Sequence, residues 1–334
     1  MDRLLVTGGL GFIGSNFIRF VLEKRNFAAV VNVDSISYGA VRQNLSDLAH
    51  LEGYHFVKGD IADKRLVAKF MQTADVVINF AAETHVDRSI SNPGSFLGSN
   101  VHGTFTLLET ARRSNITKFI HISTDEVYGS ASSNSTFKET DRLQTSSPYS
   151  ASKAAADMFV ESYHKTYGLP TVTLRCTNNF GPRQFPEKFI PKAIISALLR
   201  RKIPLYGDGM QVRDWVYVLD FCRAIELAIQ KGETGTVYNV SAGNELPNLE
   251  IARRVLKILR KPPDLIQFVE DRPGHDFRYS LDSTRIRDRL GWQPEHNFSE
   301  ALEETVAWYV NHESWWKPLL SRKILSPTPW KEKW

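Results

Sequence analysis

Cysteine is scarce in this chain. Only Cys176 and Cys222 occur among 334 residues, too few for a disulfide framework and without the paired spacing of a metal site, so no metal is expected. Long apolar runs are missing too. None approaches the roughly 20 residues a membrane helix needs. The first, after Met1-Asp2-Arg3, is only a strand long, too short for a signal peptide. An excess of one charge is also lacking: 42 Lys and Arg stand against 37 Asp and Glu, a net +5. Basic residues are scattered, with short clusters such as Arg200-Arg201-Lys202 and Arg253-Arg254, whereas nucleic-acid binding calls for a stripe or patch. Tandem repeats and low-complexity tracts do not occur. These absences argue against a secreted disulfide scaffold, a helical membrane protein and a nucleic-acid binder. They predict a cytoplasmic protein. What remains is an ordinary globular composition, 42% hydrophobic and 24% charged, long enough for one large domain or two modest ones.

Near the N-terminus, Arg3-Leu4-Leu5-Val6-Thr7 reads as a strand and Ser15 to Lys24 as an amphipathic helix. Between them stand Gly8, Gly11 and Gly14. Glycines at these places let the backbone turn tightly and approach a pyrophosphate seated on the helix N-terminus. A second strand, Ala29-Val30-Val31-Asn32-Val33, ends in Asp34, 20 residues past Gly14. An acid there accepts the ribose hydroxyls of NAD and repels the extra phosphate of NADP. The bland alternative is a glycine-rich turn with a helix-capping acid; strand before and helix after favour the dinucleotide reading.

Strands and helices then alternate. Tyr54 to Lys58 reads as a strand leading to Gly59-Asp60, Asp75 to Phe80 as another leading to Ala81-Ala82, and Ser99 to Arg113 as a long helix. Phe119 to Ser123 and Thr171 to Arg175 read as further strands. The pattern predicts an α/β fold, a Rossmann-type doubly wound parallel sheet with a ligand crevice at the strands' carboxyl ends. After Gly181-Pro182 the pattern loosens, and prolines recur at 182, 186, 191 and 204. We read 1–180, with 212–241 returning, as a cofactor-binding Rossmann domain. Residues 181–211 and 242–322 then form a smaller α/β substrate domain, and 323–334, with Pro327, Pro329, Trp330 and Trp334, a loosely packed tail. Residues 131–147, rich in Ser and Thr, read as a loop.

The most informative stretch is Ser123-Thr124-Asp125-Glu126-Val127-Tyr128-Gly129, followed by Tyr149-Ser150-Ala151-Ser152-Lys153. Two carboxylates follow a strand, and a Tyr and a Lys share one helical face. A Lys ammonium beside a phenol favours the phenolate, which predicts that Tyr149 serves as a base. Bland readings stand beside this one. The acids can cap a turn, Tyr149 and Lys153 can be an exposed helical pair, and Arg213 can pair with Asp214 at the surface. His85, with no ligand partner spaced near it, reads as structural.

These motifs resemble the extended short-chain dehydrogenase/reductase family and, within it, the dTDP-glucose 4,6-dehydratases, over about residues 1 to 320. The resemblance is carried by Thr7 to Gly14, Ala81-Ala82-Glu83-Thr84-His85-Val86-Asp87-Arg88-Ser89-Ile90, Ser123 to Gly129 and Ser147 to Lys153. Asn178-Asn179, Pro186 to Pro191, Arg213-Asp214-Trp215 and Asp271-Arg272-Pro273-Gly274-His275-Asp276 add to it. It implies a lyase that oxidises the sugar at C4, removes water across C5–C6 and reduces C6, with NAD as hydride carrier. Tyr149 would serve at the C4 hydroxyl, Glu126 as base at C5 and Asp125 as acid at the C6 hydroxyl. Thr124 would bond the C4 oxygen, and Lys153 would hold the nicotinamide ribose. The resemblance assigns Gly8, Gly11, Phe12, Ile13, Gly14, Asp34, Ser37, Asp60, Ile61, Phe80, Ala81, Ala82, Ser99, Tyr149, Lys153 and Asn179 to NAD. To the sugar nucleotide it assigns Thr84, Thr124, Asn178, Lys188, Pro204, Tyr206, Arg213, Asn248, Arg272 and His275. Phe180 stands where the family often has Tyr. A homodimer through four helices is implied, with Phe105, Leu108, Met158, Phe159 and Tyr163 at the interface. Rival readings are another NAD-dependent sugar-nucleotide enzyme (a UDP-sugar 4,6-dehydratase, a decarboxylase or a 4-epimerase) and a catalytically silent NAD-binding protein.

Overall fold

Short runs rich in Val, Ile and Leu become strands. In the computed structural model, which describes residues 2–334, they are β1 (Arg3–Thr7), β2 (Ala29–Asp34), β3 (Tyr54–Lys58), β4 (Val76–Asn79), β5 (Lys118–Thr124) and β6 (Thr171–Cys176), then β7 (Asn178–Phe180), β8 (Ile203–Tyr206), β9 (Val212–Tyr217), β10 (Thr236–Val240), β11 (Glu245–Pro247) and β12 (Ile266–Val269). Met1, the first residue of the expected 1–180 domain, lies outside the described residues. Seven strands form one sheet in the order β10-β6-β5-β4-β1-β2-β3, every pair parallel. The expected fold class is borne out.

Side chains of a strand alternate between faces, and this builds two apolar layers. Leu4 and Val6 of β1, Val76 and Ile78 of β4, and Ile120 and Ile122 of β5 join the core containing Phe17 and Phe221. Those rings come from the helices Phe12–Lys24 and Val218–Lys231. Leu5, Val77 and Phe119 face the opposite core, with Val67, Leu107 and Val160 from the helices Lys64–Met71, Thr104–Ala111 and Pro148–Tyr167. Strand order reverses beside β1, and a crevice opens at the carboxyl ends of strands around such a point. Thr7 and Asn79, the last residues of β1 and β4, are tied there by a 2.7 Å hydrogen bond from the Thr7 hydroxyl.

A second core gathers Phe180, Ile194, Trp215, Tyr217, Ile251 and Trp316. It packs between a three-stranded sheet, β11-β9-β7, a two-stranded one, β12-β8, and the flanking helices. The return of 212–241 to the main sheet is therefore partial: β9 pairs with β7 and β11, and only the helix Val218–Lys231 and β10 rejoin the large domain.

Two other local readings change, and the loop reading gains detail. The helix expected from Ser99 begins earlier, at Gly94, and runs through a π-helical stretch, Leu97–Gly103, before Thr104–Ala111; such widened turns cluster at functional sites. The 131–147 loop is pinned by a bridge from Phe137 to Leu281 and by Phe137 stacking on Tyr128 at 5.1 Å. The tail is packed rather than loose: Ile324 and Trp330 are buried, and the Trp330 ring meets Tyr206 edge-on at 4.9 Å. Among the described residues, no helix is long and apolar enough to cross a membrane.

Candidate active site

The glycine turn is tight for a physical reason. Gly8 has φ +72°, and a Cβ there would sit 2.6 Å from the Ala81 nitrogen; a Cβ on Gly14 would sit 2.6 Å from the Gly8 carbonyl oxygen. The helix that follows has Gly11 as N-cap, no side-chain cap and no acid in its first turn. Its N–H groups are thus left for an anion. At the end of β2, the Asp34 carboxylate accepts from the Leu10 N–H at 2.9 Å and the Ile36 N–H at 2.8 Å. Burial pushes its pKa up and these two donors pull it back. A bare glycine cradle beside a fixed carboxylate fits the pyrophosphate and ribose of NAD.

The cradle opens into a cavity of about 550 Å³ that holds every expected cofactor residue: Gly8, Gly11, Phe12, Ile13, Gly14, Asp34, Ser37, Asp60, Ile61, Phe80, Ala81, Ala82, Ser99, Tyr149, Lys153 and Asn179. Thr124 and Asp125 line it as well. Pro204, Tyr206, Arg213, Asn248, Arg272 and His275 line a second cavity of about 150 Å³. Thr84, Glu126, Asn178 and Lys188 line both, so the two cavities share a wall.

At that wall, β5 ends in Thr124, which caps a short 3-10 turn, Asp125–Tyr128. The Thr124 hydroxyl accepts from the Glu126 N–H at 3.3 Å and donates to Asp125 Oδ1 at 3.0 Å. The capping reading of these residues is thus right as far as it goes. Yet Asp125 is buried, and its Oδ2 has no partner. Burial pushes the Asp125 carboxyl well above the usual range, and the neighbouring Glu126 pushes it further. Burial raises Glu126 too, but Arg272, Arg213 and Lys188 pull it down. Such a split marks an acid and a base.

Tyr149 and Lys153 reach the same cavity from the helix Pro148–Tyr167. Ser147 starts that helix with a capping box shared with Ser150, and Gly168, in the left-handed conformation, ends it. Both side chains are buried, so the exposed-pair reading falls. The phenolate expectation also changes. Burial pushes the Tyr149 phenol well up, and Glu126 adds to this, while the Thr124 hydroxyl pulls it down. The Lys153 ammonium donates to the Ile122 carbonyl at 2.6 Å, and burial lowers its pKa. Desolvation is the largest of these influences on the phenol.

On the substrate side, Arg213 is buried and its guanidinium donates to the carbonyls of Val212, Phe277 and Asp276 and to His275 Nε2. It does not pair with Asp214, which accepts from Thr177 and from the Ala242 and Asn244 N–H groups. His275 donates from Nδ1 to Asp271 at 2.6 Å, and burial with Arg272 and Arg213 lowers its pKa to about 4, so it is neutral. Arg213 is a buried cation held by neutral acceptors. Arg272, by contrast, is bound to Asp87 at 2.9 Å, though its Nε has no partner. The Lys188 ammonium donates to the Thr84 carbonyl at 2.8 Å. His85 is buried, its pKa lowered by burial to about 4. It sits 3.8 Å from Glu187 and 3.9 Å from Asp87, within the smaller cavity.

Three residues escaped the sequence reading. Asn100, carried by the π-helical stretch, bonds both the N–H and the carbonyl of Glu83 and donates to Ser152 at 2.8 Å. It joins the loop after β4 to the helix of Tyr149, and no local pattern marks it. Asp87 and Glu187 lie inside motifs singled out in the sequence, which was the available signal.

The family model for GDP-mannose 4,6 dehydratase matches residues 5–305. The dTDP-glucose 4,6-dehydratase of Streptomyces niveus is 46% identical over 331 residues, covering 98% of each chain. The low-salt glycan biosynthesis protein Agl12 of Haloferax volcanii is 48% identical over 307 residues, 92% of this chain and 98% of that one. A dTDP-glucose 4,6-dehydratase of Streptomyces venezuelae, solved with NAD bound, superposes with a TM-score of 0.93 at 43% identity, covering 95% of this chain and all of that one. The chain belongs to the GDP-mannose 4,6 dehydratase family of NAD-using short-chain dehydrogenases/reductases.

Proposed function

We propose that this enzyme is a hydro-lyase that converts dTDP-glucose to dTDP-4-keto-6-deoxyglucose. The observation that carries the reading is the adjacent Asp125–Glu126 pair at the end of β5: burial and Glu126 push the Asp125 carboxyl well up, whereas Arg272, Arg213 and Lys188 pull Glu126 back, and Glu126 stands on the wall between the two cavities. Bound NAD would supply hydride removal at C4 and hydride return at C6. Tyr149 would take the proton of the C4 hydroxyl, with Thr124 holding that oxygen. The ketone acidifies C5. Glu126 removes the C5 proton, Asp125 protonates the departing C6 hydroxyl, and Glu126 returns a proton to C5. Lys153 orients the cofactor ribose.

The anion-free Arg213, with Arg272, Lys188 and Asn248, supports a diphosphate site in the substrate domain; the glycine cradle supports NAD in the other. Free thiols at Cys176 and Cys222 suit a reducing compartment, and the cytoplasm is proposed. A homodimer is part of the proposal, supported by apolar side chains left exposed on the helices Thr104–Ala111 and Pro148–Tyr167. Incubation with dTDP-glucose, with UDP-glucose in parallel, tests the reading by product mass. Loss of one water from the dTDP sugar is expected. A product of unchanged mass epimerised at C4 overturns it, and dehydration of UDP-glucose alone reassigns the nucleotide.

A further inference from the structure

Residues 324–334 carry two indoles, and each braces a cavity wall from outside; neither indole is itself among the lining residues. The Trp330 ring meets Tyr206 edge-on at 4.9 Å. The Tyr206 hydroxyl donates to Asp87 Oδ2 at 2.8 Å, and Asp87 Oδ1 accepts from Arg272 at 2.9 Å. Tyr206, Asp87 and Arg272 all line the smaller cavity. At the other end of the segment, Trp334 lies 5.4 Å from the Arg88 guanidinium, which stacks 3.8 Å from the Tyr38 ring; Arg88 and Tyr38 line the larger cavity. The segment is anchored at both ends of Trp330's approach: Lys192, which lines the smaller cavity, donates to the Ser326 carbonyl at 3.3 Å, and Lys331 pairs with Glu270 at 2.5 Å.

We propose that 324–334 is a positioning strap for the nucleotide diphosphate, with Trp330 as its working residue. The argument is electrostatic. Arg272 keeps one buried donor, Nε, without a partner, while its Nη1 holds Asp87. Asp87 is satisfied from two sides. Burial raises its pKa, but His85, Arg272 and Tyr206 outweigh that and bring it to about 2. If Tyr206 moves away, Asp87 loses a donor and draws Arg272 more strongly to itself. Less of the guanidinium's charge then remains for a phosphate. Trp330 fixes the ring of Tyr206 and so keeps Arg272 shared.

The ligand's identity rests on the dehydratase reading, so the test separates the two. In the full chain, Trp330→Ala and Trp330→Phe are titrated with dTDP by calorimetry and assayed with dTDP-glucose. Trp330→Ala is expected to weaken dTDP binding and raise KM by about three- to tenfold, the value of one aromatic edge contact. Its kcat should stay within about twofold, as for a loss of uniform binding, and NAD content should be unchanged. Trp330→Phe, which keeps a ring against Tyr206, restores most of the affinity. Wild-type affinity in Trp330→Ala overturns the strap, and so does a Trp330→Phe protein that is folded yet as weak as the alanine variant. If the wild type binds dTDP but does not dehydrate dTDP-glucose, the enzymatic reading fails and the strap is still judged by the dTDP titration.

Discussion

Asp125 and Glu126 are neighbours in sequence, yet their surroundings act on them differently. Arg272, Arg213 and Lys188 all pull Glu126 down, whereas Asp125 feels only Arg213 of these three, has Glu126 beside it and keeps an oxygen with no donor. Glu126→Gln is expected to lower turnover by about 10²- to 10⁴-fold, the usual worth of a general base, while oxidation at C4 persists. The check is deuterium incorporation at C5 from heavy water; normal exchange rejects the assignment. Asp125 also has a stability consequence. Its folded pKa is raised, so between the ordinary carboxylate pKa and the folded value the native state keeps a proton that the unfolded state has lost. Stability therefore falls as pH rises through that window. Asp125→Asn removes this dependence, so its melting temperature should exceed that of wild type by a margin that grows from about pH 4 toward neutrality. Thermal melts at several pH values measure it, and a margin flat with pH contradicts the burial argument. Arg213→Met should weaken dTDP binding by about tenfold or more, as for loss of a charge-assisted contact, with NAD content unchanged. Loss of NAD instead refutes the separation of the two sites.

At the scale of elements, the parallel sheet was legible because its strands are apolar runs with fixed punctuation. Gly8, Asp34, Ala81 and Thr124 each stand at or just past a strand's carboxyl end, and the sequence order of those ends already placed cofactor and catalytic groups in one crevice. Less legible were the pieces with no period of their own. β7 and β11 have three residues each and exist only because β9 lies between them, so the small sheet could not be read from propensity. The π-helical stretch carries Asn100, whose partners Glu83 and Ser152 are far off in sequence, so no local pattern announces it. The upward push of burial on the Tyr149 phenol was not legible, because spacing reports who is near and not how dry the site is. The glycine cradle gives this scale its prediction. In Gly14→Ala, the new Cβ would lie 2.6 Å from the Gly8 carbonyl, so the turn must open. The purified variant should release far less NAD on denaturation than wild type; an equal yield counts against the cradle.

At the scale of the whole molecule, the glycine cradle and Arg213 line two cavities that share a wall, and Glu126 stands on that wall. One surface remains unexplained by that plan. Phe105 and Phe159 pack at 6.0 Å, yet they are 38% and 37% exposed, with Met158 at 65% and Leu97 at 61%. Leu108 and Tyr163, also expected at an interface, are instead buried in the chain's own core. They face the sheet, and Tyr163 donates to Glu109 at 2.6 Å. The remaining band sits on two adjacent helices, and a two-fold axis through it would set four helices together and cover the rings. A contiguous apolar patch left in water invites such a partner. The double variant Met158→Asp/Phe159→Asp places two carboxylates there without touching either cavity. Wild type should scatter light as a dimer at micromolar concentration and the variant as a monomer that keeps its NAD. A monomeric wild type, or a variant that remains dimeric, removes this band from the interface.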